Sequence, residues 1–223
     1  MDWDGHAERE EGRYADGLAR LPSEPDPRQK QLVRIAMAAT GAGLARLMQG
    51  RRAEAAGWFA RSAERFRESY ADAPPGSWGR LIGAIKARLL AGDQQGAEAD
   101  ATWALEQGPA VAESPIGHYA TVLALLVLGR DDEAAVTAAR LVEALEESFP
   151  RPVAGTLAAL AAGDGVAYLE AVSLVLESFE TRDEYLEDIP VADTVVVLQA
   201  LAERRGIAAG LRSPLLPEGS AAG

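Results

Sequence analysis

The densest run of ionisable side chains lies in "ESFETRDEYLED", where Glu177, Glu180, Asp183, Glu184, Glu187 and Asp188 are interspersed with Phe179, Arg182 and Tyr185. Carboxylates at this density offer a general acid and base, a hard-cation site, or a charged edge for a partner. Read as helix, Glu180 shares a face with Glu184 and Asp183 with Glu187, and their mutual repulsion favours a counter-charged partner. The bland alternative is a solvated connector ahead of Pro190. Nothing in the run supplies the remaining parts of a catalytic or metal site, so the sharper reading is a partner-binding edge. Glu180, Arg182, Asp183, Glu184, Tyr185 and Glu187 are its candidate residues. Trp78, which follows the break "ADAPPGS", joins them as an aromatic anchor for a protein partner.

Other chemistries find little to use. The chain has no cysteine, which removes thiolate nucleophiles, disulfides and cysteine-based zinc sites. Its two histidines, His6 and His118, fall in different elements, and neither begins a His-x-x-x-His pair. The Gly41-Ala42-Gly43 stretch lacks the lysine and hydroxyl of a phosphate loop. Ser62, Ser69 and Ser173 have no nucleophile elbow around them. No catalytic, cofactor-binding or metal residue is therefore assigned, and no cofactor is expected.

A formal charge of -12 over 223 residues sets a repulsive field against nucleic acid and anionic lipid. The most apolar stretch, Tyr119 to Leu128, is about half of the roughly 20 residues that a membrane span requires. The acidic opening "MDWDGHAEREEGRY" does not fit a secretory signal. These features predict a cytoplasmic protein with a protein partner, no nucleic acid and no membrane; they also leave room for a homo-oligomer.

Any such surface must be carried by helices. Apolar residues recur at three and four in Arg28 to Gln49, through Leu32, Ile35, Ala36, Ala39, Gly43, Leu44 and Leu47. A partner helix runs from Arg52 to Tyr70 with Ala55, Phe59, Ala63 and Phe66 inward. Further helices are predicted at Ala7 to Arg20, Trp78 to Ala91, Gly96 to Glu106, Ser114 to Leu128, Asp131 to Glu147, Val153 to Ala162, Val166 to Phe179 and Val191 to Arg205. Ser114 is read as an N-cap, Asp193 as a cap or a partner for the positive helix terminus, and the last few residues of the chain as loose.

Corners at Gly12, Gly50, Gly92, Gly129 and Gly163 recur every 34 to 42 residues. A small or aromatic residue follows four of them at plus five (Ala55, Ala97, Ala134, Tyr168), and another follows at plus nine (Phe59, Ala101, Ala138, Val172). Glycine ends the first helix in the left-handed conformation, and the next two positions pack the second helix closely. The expected fold is all-α, an α-α superhelix of antiparallel helical hairpins. Residues 1-27 form its N-terminal cap segment, 28-180 the hairpin region, and 181-223 a C-terminal capping helix and tail of the same domain.

"LLVLGRDDEAAVTAARLVEAL", with its Leu-x-x-Gly corner and Ala-x-x-x-Ala spacing, resembles a divergent tetratricopeptide repeat, a likeness covering about residues 30 to 180. Tyr185 to Asp188, the last apolar helix, Arg204-Arg205-Gly206-Ile207 and Ser213 to Pro217 together resemble the bacterial immunity-protein family Imm49. That resemblance implies a cognate toxin domain as partner and inhibition by covering its active surface. From the residues alone, the favoured function is a noncatalytic protein-protein interaction module. A regulatory or assembly scaffold, and an enzyme with dispersed carboxylates or serines in a helical groove, remain open beside it.

Overall fold

A computed structural model describes residues 1–111, 113–143 and 149–218. The chain is all-α, with ten helices among the described residues: α1 (Trp3–Ala19), α2 (Pro25–Met48), α3 (Arg52–Tyr70), α4 (Trp78–Leu90), α5 (Gln94–Glu106), α6 (Pro115–Val127), α7 (Asp131–Glu143), α8 (Arg151–Ala162), α9 (Gly165–Glu180) and α10 (Asp193–Glu203). Short 3-10 turns occupy Pro109–Val111 and Leu186–Asp188. None of these helices is long and apolar enough to cross a membrane.

Within the units, α1 to α4 and α6 to α9 pair in succession as antiparallel hairpins of the tetratricopeptide-like type, and the corners explain why. At Gly129, φ is +68°, the Gly129 amide donates to the Leu126 carbonyl, and the Arg130 amide reaches back to Leu125 at 2.9 Å. This double closure satisfies the last carbonyls of α6 and requires a backbone conformation that a Cβ would strain. The same pair of bonds closes Gly50, Gly92 and Gly163. The residues at plus five and plus nine, Ala55 to Tyr168 and Phe59 to Val172, are all buried. Gly12 is different. It lies inside α1, where its backbone is ordinary helix, and the turn into α2 is made by residues 20 to 24 instead.

Several ends also depart from expectation. α1 begins four residues early because the Asp2 carboxylate accepts the Gly5 amide at 2.9 Å. Ser114 occupies the N-cap position of α6 without a capping bond from its side chain. Ala192, not Asp193, occupies the N-cap position of α10, leaving Asp193 in the positively polarised first turn. Residues 144 to 147 of the expected α7 lie outside the described residues, as do 219 to 223 of the terminal tail.

The chain divides into two compact units. Unit 1 comprises Met1–Gln94 together with Asp183–Val191. In it α1 packs on α2, α2 on α3 and α3 on α4, while the Leu186–Asp188 turn packs on α2. Unit 2 comprises Gln95–Arg182 and Ala192–Gly223. There α6 through α9 pack in succession, and α10 lies against α8 and α9. Two arginines fasten α10: Arg204 donates to the Val127 carbonyl at 2.9 Å, while Arg205 donates to the Leu126 carbonyl at 2.8 Å and also to the Asp131 carboxylate. The tail beyond α10 is docked as far as Pro217, with Ala209, Leu215 and Leu216 buried.

Candidate protein-binding surface

The acid-rich run is divided by its own backbone. α9 ends at Glu180, and Asp183 to Tyr185 are irregular, so the helical pairing of Glu180 with Glu184 and of Asp183 with Glu187 is not realised. Glu180 and Arg182 belong to unit 2, whereas Asp183, Glu184, Tyr185 and Glu187 belong to unit 1. Glu180 is exposed and accepts a hydrogen bond from the Ser213 hydroxyl at 2.7 Å. Arg182 stacks over the Phe179 ring at 3.6 Å and donates to the Ser178 carbonyl. Asp183 and Glu184 face solvent, and Tyr185 is half-buried.

Glu187 sits in a different environment from its neighbours. It and Asp188 hold φ values of +55° and +54°, a left-handed conformation that costs a residue with a side chain about 1–2 kcal/mol. The surroundings hold it there. Arg13 donates to the Glu187 carboxylate, and Arg9 donates to the Glu187 carbonyl at 2.5 Å. Both arginines also bond Glu10, at 2.8 Å each, and Glu10 is wholly buried. Burial works against the charge on Arg13, but its bonds to Glu187 and Glu10 outweigh that and raise its pKa. Two cations thus neutralise two acids, and Glu187 serves to lock residues 183 to 191 onto unit 1.

Trp78 opens α4 and is half-buried. Its sequence neighbours Ser77 and Gly79, with Val33 and Met37 of α2, Phe66 of α3 and Arg80 of α4, line an open, mainly apolar groove of about 430 Å³. Val33, Met37 and Phe66 are each half-buried. Sequence reasoning passed over Val33, Met37 and Arg80. The available signal was the four-residue spacing of Val33 and Met37, which forms a second apolar stripe beside the buried one on α2. A smaller cleft, of about 180 Å³, is polar and lies between α1 and α2, with Arg13, Asp16, Arg20, Gln31 and Arg34 around it. Arg20 pairs with Asp16 there at 3.0 Å.

Ser62 shares a hydrogen bond with Thr40 at 2.7 Å, Ser69 donates to the Phe66 carbonyl and Ser173 to the Leu169 carbonyl. The first bond joins α3 to α2, the other two are local to their helices, and none brings a histidine to a hydroxyl. Among the described residues, no group of three or more histidine, aspartate or glutamate side chains is arranged to hold a metal ion. No family model, curated protein or solved structure matches the chain.

Proposed function

We propose that the protein is a noncatalytic interaction module whose helical hairpins display a fixed surface to another protein. The observation that carries this reading is the open apolar groove beside Trp78, because half-buried Val33, Met37 and Phe66 on a well-packed scaffold are what an interface core requires. The exposed acids Asp183 and Glu184 on unit 1, and Glu180 on unit 2, add negative field that favours the approach of a basic surface. Glu187 does not contribute to that field because its carboxylate is committed to Arg13.

The finer reading is an immunity protein that covers the active surface of a bacterial toxin domain. What supports it is the likeness of Tyr185 to Asp188, the last helix and Ser213 to Pro217 to Imm49. Co-expression of the full chain with any toxin-like product found to be encoded beside it tests the proposal. Restored growth and a stable complex on size exclusion are expected. Undiminished toxicity without complex formation removes the immunity role, and failure to recover any reproducible protein partner from the native host removes the module.

A further inference from the structure

The groove on unit 1 contains a charge that the fold leaves unmatched. Arg80 lies on its wall, partly buried, and its guanidinium donates to two neutral acceptors, the Ser69 carbonyl and the Gln29 side-chain oxygen. No carboxylate pairs with it among the described residues, and its Nε donor has no acceptor there. Other partly buried arginines do have acids: Arg28 and Arg65 share Glu68, Arg46 has Glu11, and Arg205 has Asp131. In a chain with 34 acids and 22 lysines and arginines, such an exception is not for want of carboxylates. Burial lowers the Arg80 pKa, with the neighbouring Tyr70 phenol acting weakly the other way, yet the guanidinium remains a cation at neutral pH. A half-desolvated cation of this kind gains by receiving an anion from outside.

The shape of the groove narrows the kind of occupant. A small molecule needs most of its surface enclosed, and this groove is open along its length. Its apolar floor of Val33, Met37 and Phe66 instead suits a large side chain projecting from a surface that seals the rim. A nucleic acid would meet the net charge of -12. We propose that the groove formed by Val33, Met37 and Phe66 takes one large apolar side chain of a protein partner while Arg80 pairs with a carboxylate on the same partner segment. This rests on the interaction-module reading and gives the partner a chemistry: an apolar anchor with an acid beside it.

The test uses the full chain and amidated alanine-based peptides carrying one phenylalanine with a glutamate one, three or four residues away, against the same peptides with glutamine. Binding is followed by NMR at the Met37 methyl and the Arg80 Nε–H. At least one glutamate peptide is expected to shift both signals and to bind about tenfold more tightly than its glutamine twin, as a charged hydrogen bond at a partly desolvated site implies. Arg80→Gln should erase that difference, and Met37→Asp should abolish binding of both peptides. Circular dichroism checks that each variant is folded, and Met37→Asp keeps the test decisive if Arg80→Gln is not. Equal affinity of the twins, no shift at millimolar peptide, or self-association of the free chain that Met37→Asp removes would each overturn the proposal. A protein partner that binds wild type and both variants alike overturns the groove assignment while leaving the module reading in place.

Discussion

Gln199 shows how one buried polar side chain can secure a tail. Its carbonyl oxygen accepts from the Tyr168 hydroxyl at 2.6 Å and from the Ala209 amide at 3.1 Å, and its amide donates to the Ala209 carbonyl at 2.5 Å. Tyr168→Phe removes one donor from an oxygen that retains another, so a loss of about 0.5–1.5 kcal/mol is expected. Gln199→Leu strands the phenol and both Ala209 backbone groups in the interior, so about 3 kcal/mol or more is expected. Urea denaturation of the two variants should preserve that order. His118 gives a pH-dependent counterpart. Burial lowers its pKa below the ordinary 6.5, and Arg140 adds to the effect. The unfolded chain therefore binds more protons in the acid range, and stability rises with pH until about that ordinary value is passed. His118→Gln should flatten this rise between pH 5 and 7 in thermal melts. Neither environment is legible in the sequence, because nothing local marks Gln199 as buried. The same holds for Glu10, which in "AEREEG" looks as solvated as its neighbours and is wholly buried beside Arg9 and Arg13.

At the scale of elements, closeness of approach decides more than propensity. A Cβ on Gly43 of α2 would stand 2.6 Å from a carbon of the Phe59 ring, and that ring is fully buried on α3. Gly43→Ala gains about 1 kcal/mol of helix propensity but forces the two helices apart, so a net loss of about 1–3 kcal/mol is expected. Gly57 on α3 has nothing within 4 Å, and Gly57→Ala should stabilise by about 0.5–1 kcal/mol. Opposite signs in chemical denaturation would verify the contrast, and two equal losses would refute it. The helices were legible because apolar periodicity and glycine corners are local signals, and the closures at Gly50, Gly92, Gly129 and Gly163 follow from them. Gly12 misled for the same reason. The letter is identical, but the Asp2 cap and a strongly helix-forming "AEREEG" carry α1 straight through it. The groove was only half legible: Phe66 and the Val33–Met37 spacing are in the sequence, whereas Arg80's want of an acid exists only once α2, α3 and α4 have met.

For the molecule as a whole, the informative fact is that unit 1 is discontinuous in sequence. Its first stretch ends at Gln94, and its last, Asp183–Val191, arrives after most of unit 2 has been laid down. No local pattern announces such a return, because what recruits the segment is a set of distant partners. Arg13 and Arg9 take Glu187, and Ile189 settles where a Cβ on Gly41 would come within 3.0 Å of it. Ile189 is 1% exposed and Val191 3%, so the segment buries apolar surface as well as charge. The double substitution Glu187→Ala, Ile189→Ala should therefore weaken unit 1 by about 2–5 kcal/mol, mainly through the lost isoleucine. Hydrogen exchange can locate the effect: amides of α1 and α2 should lose protection while those of α8 and α9 keep it. The outcome separates two descriptions of residues 183 to 191. If α1 and α2 keep their protection, the segment is a connector resting on a unit that is complete without it. If they lose it, the left-handed turn at Glu187 and Asp188 is the strained closure of unit 1, and the acids around it divide by task, Glu187 holding the fold while Asp183 and Glu184 remain for a partner.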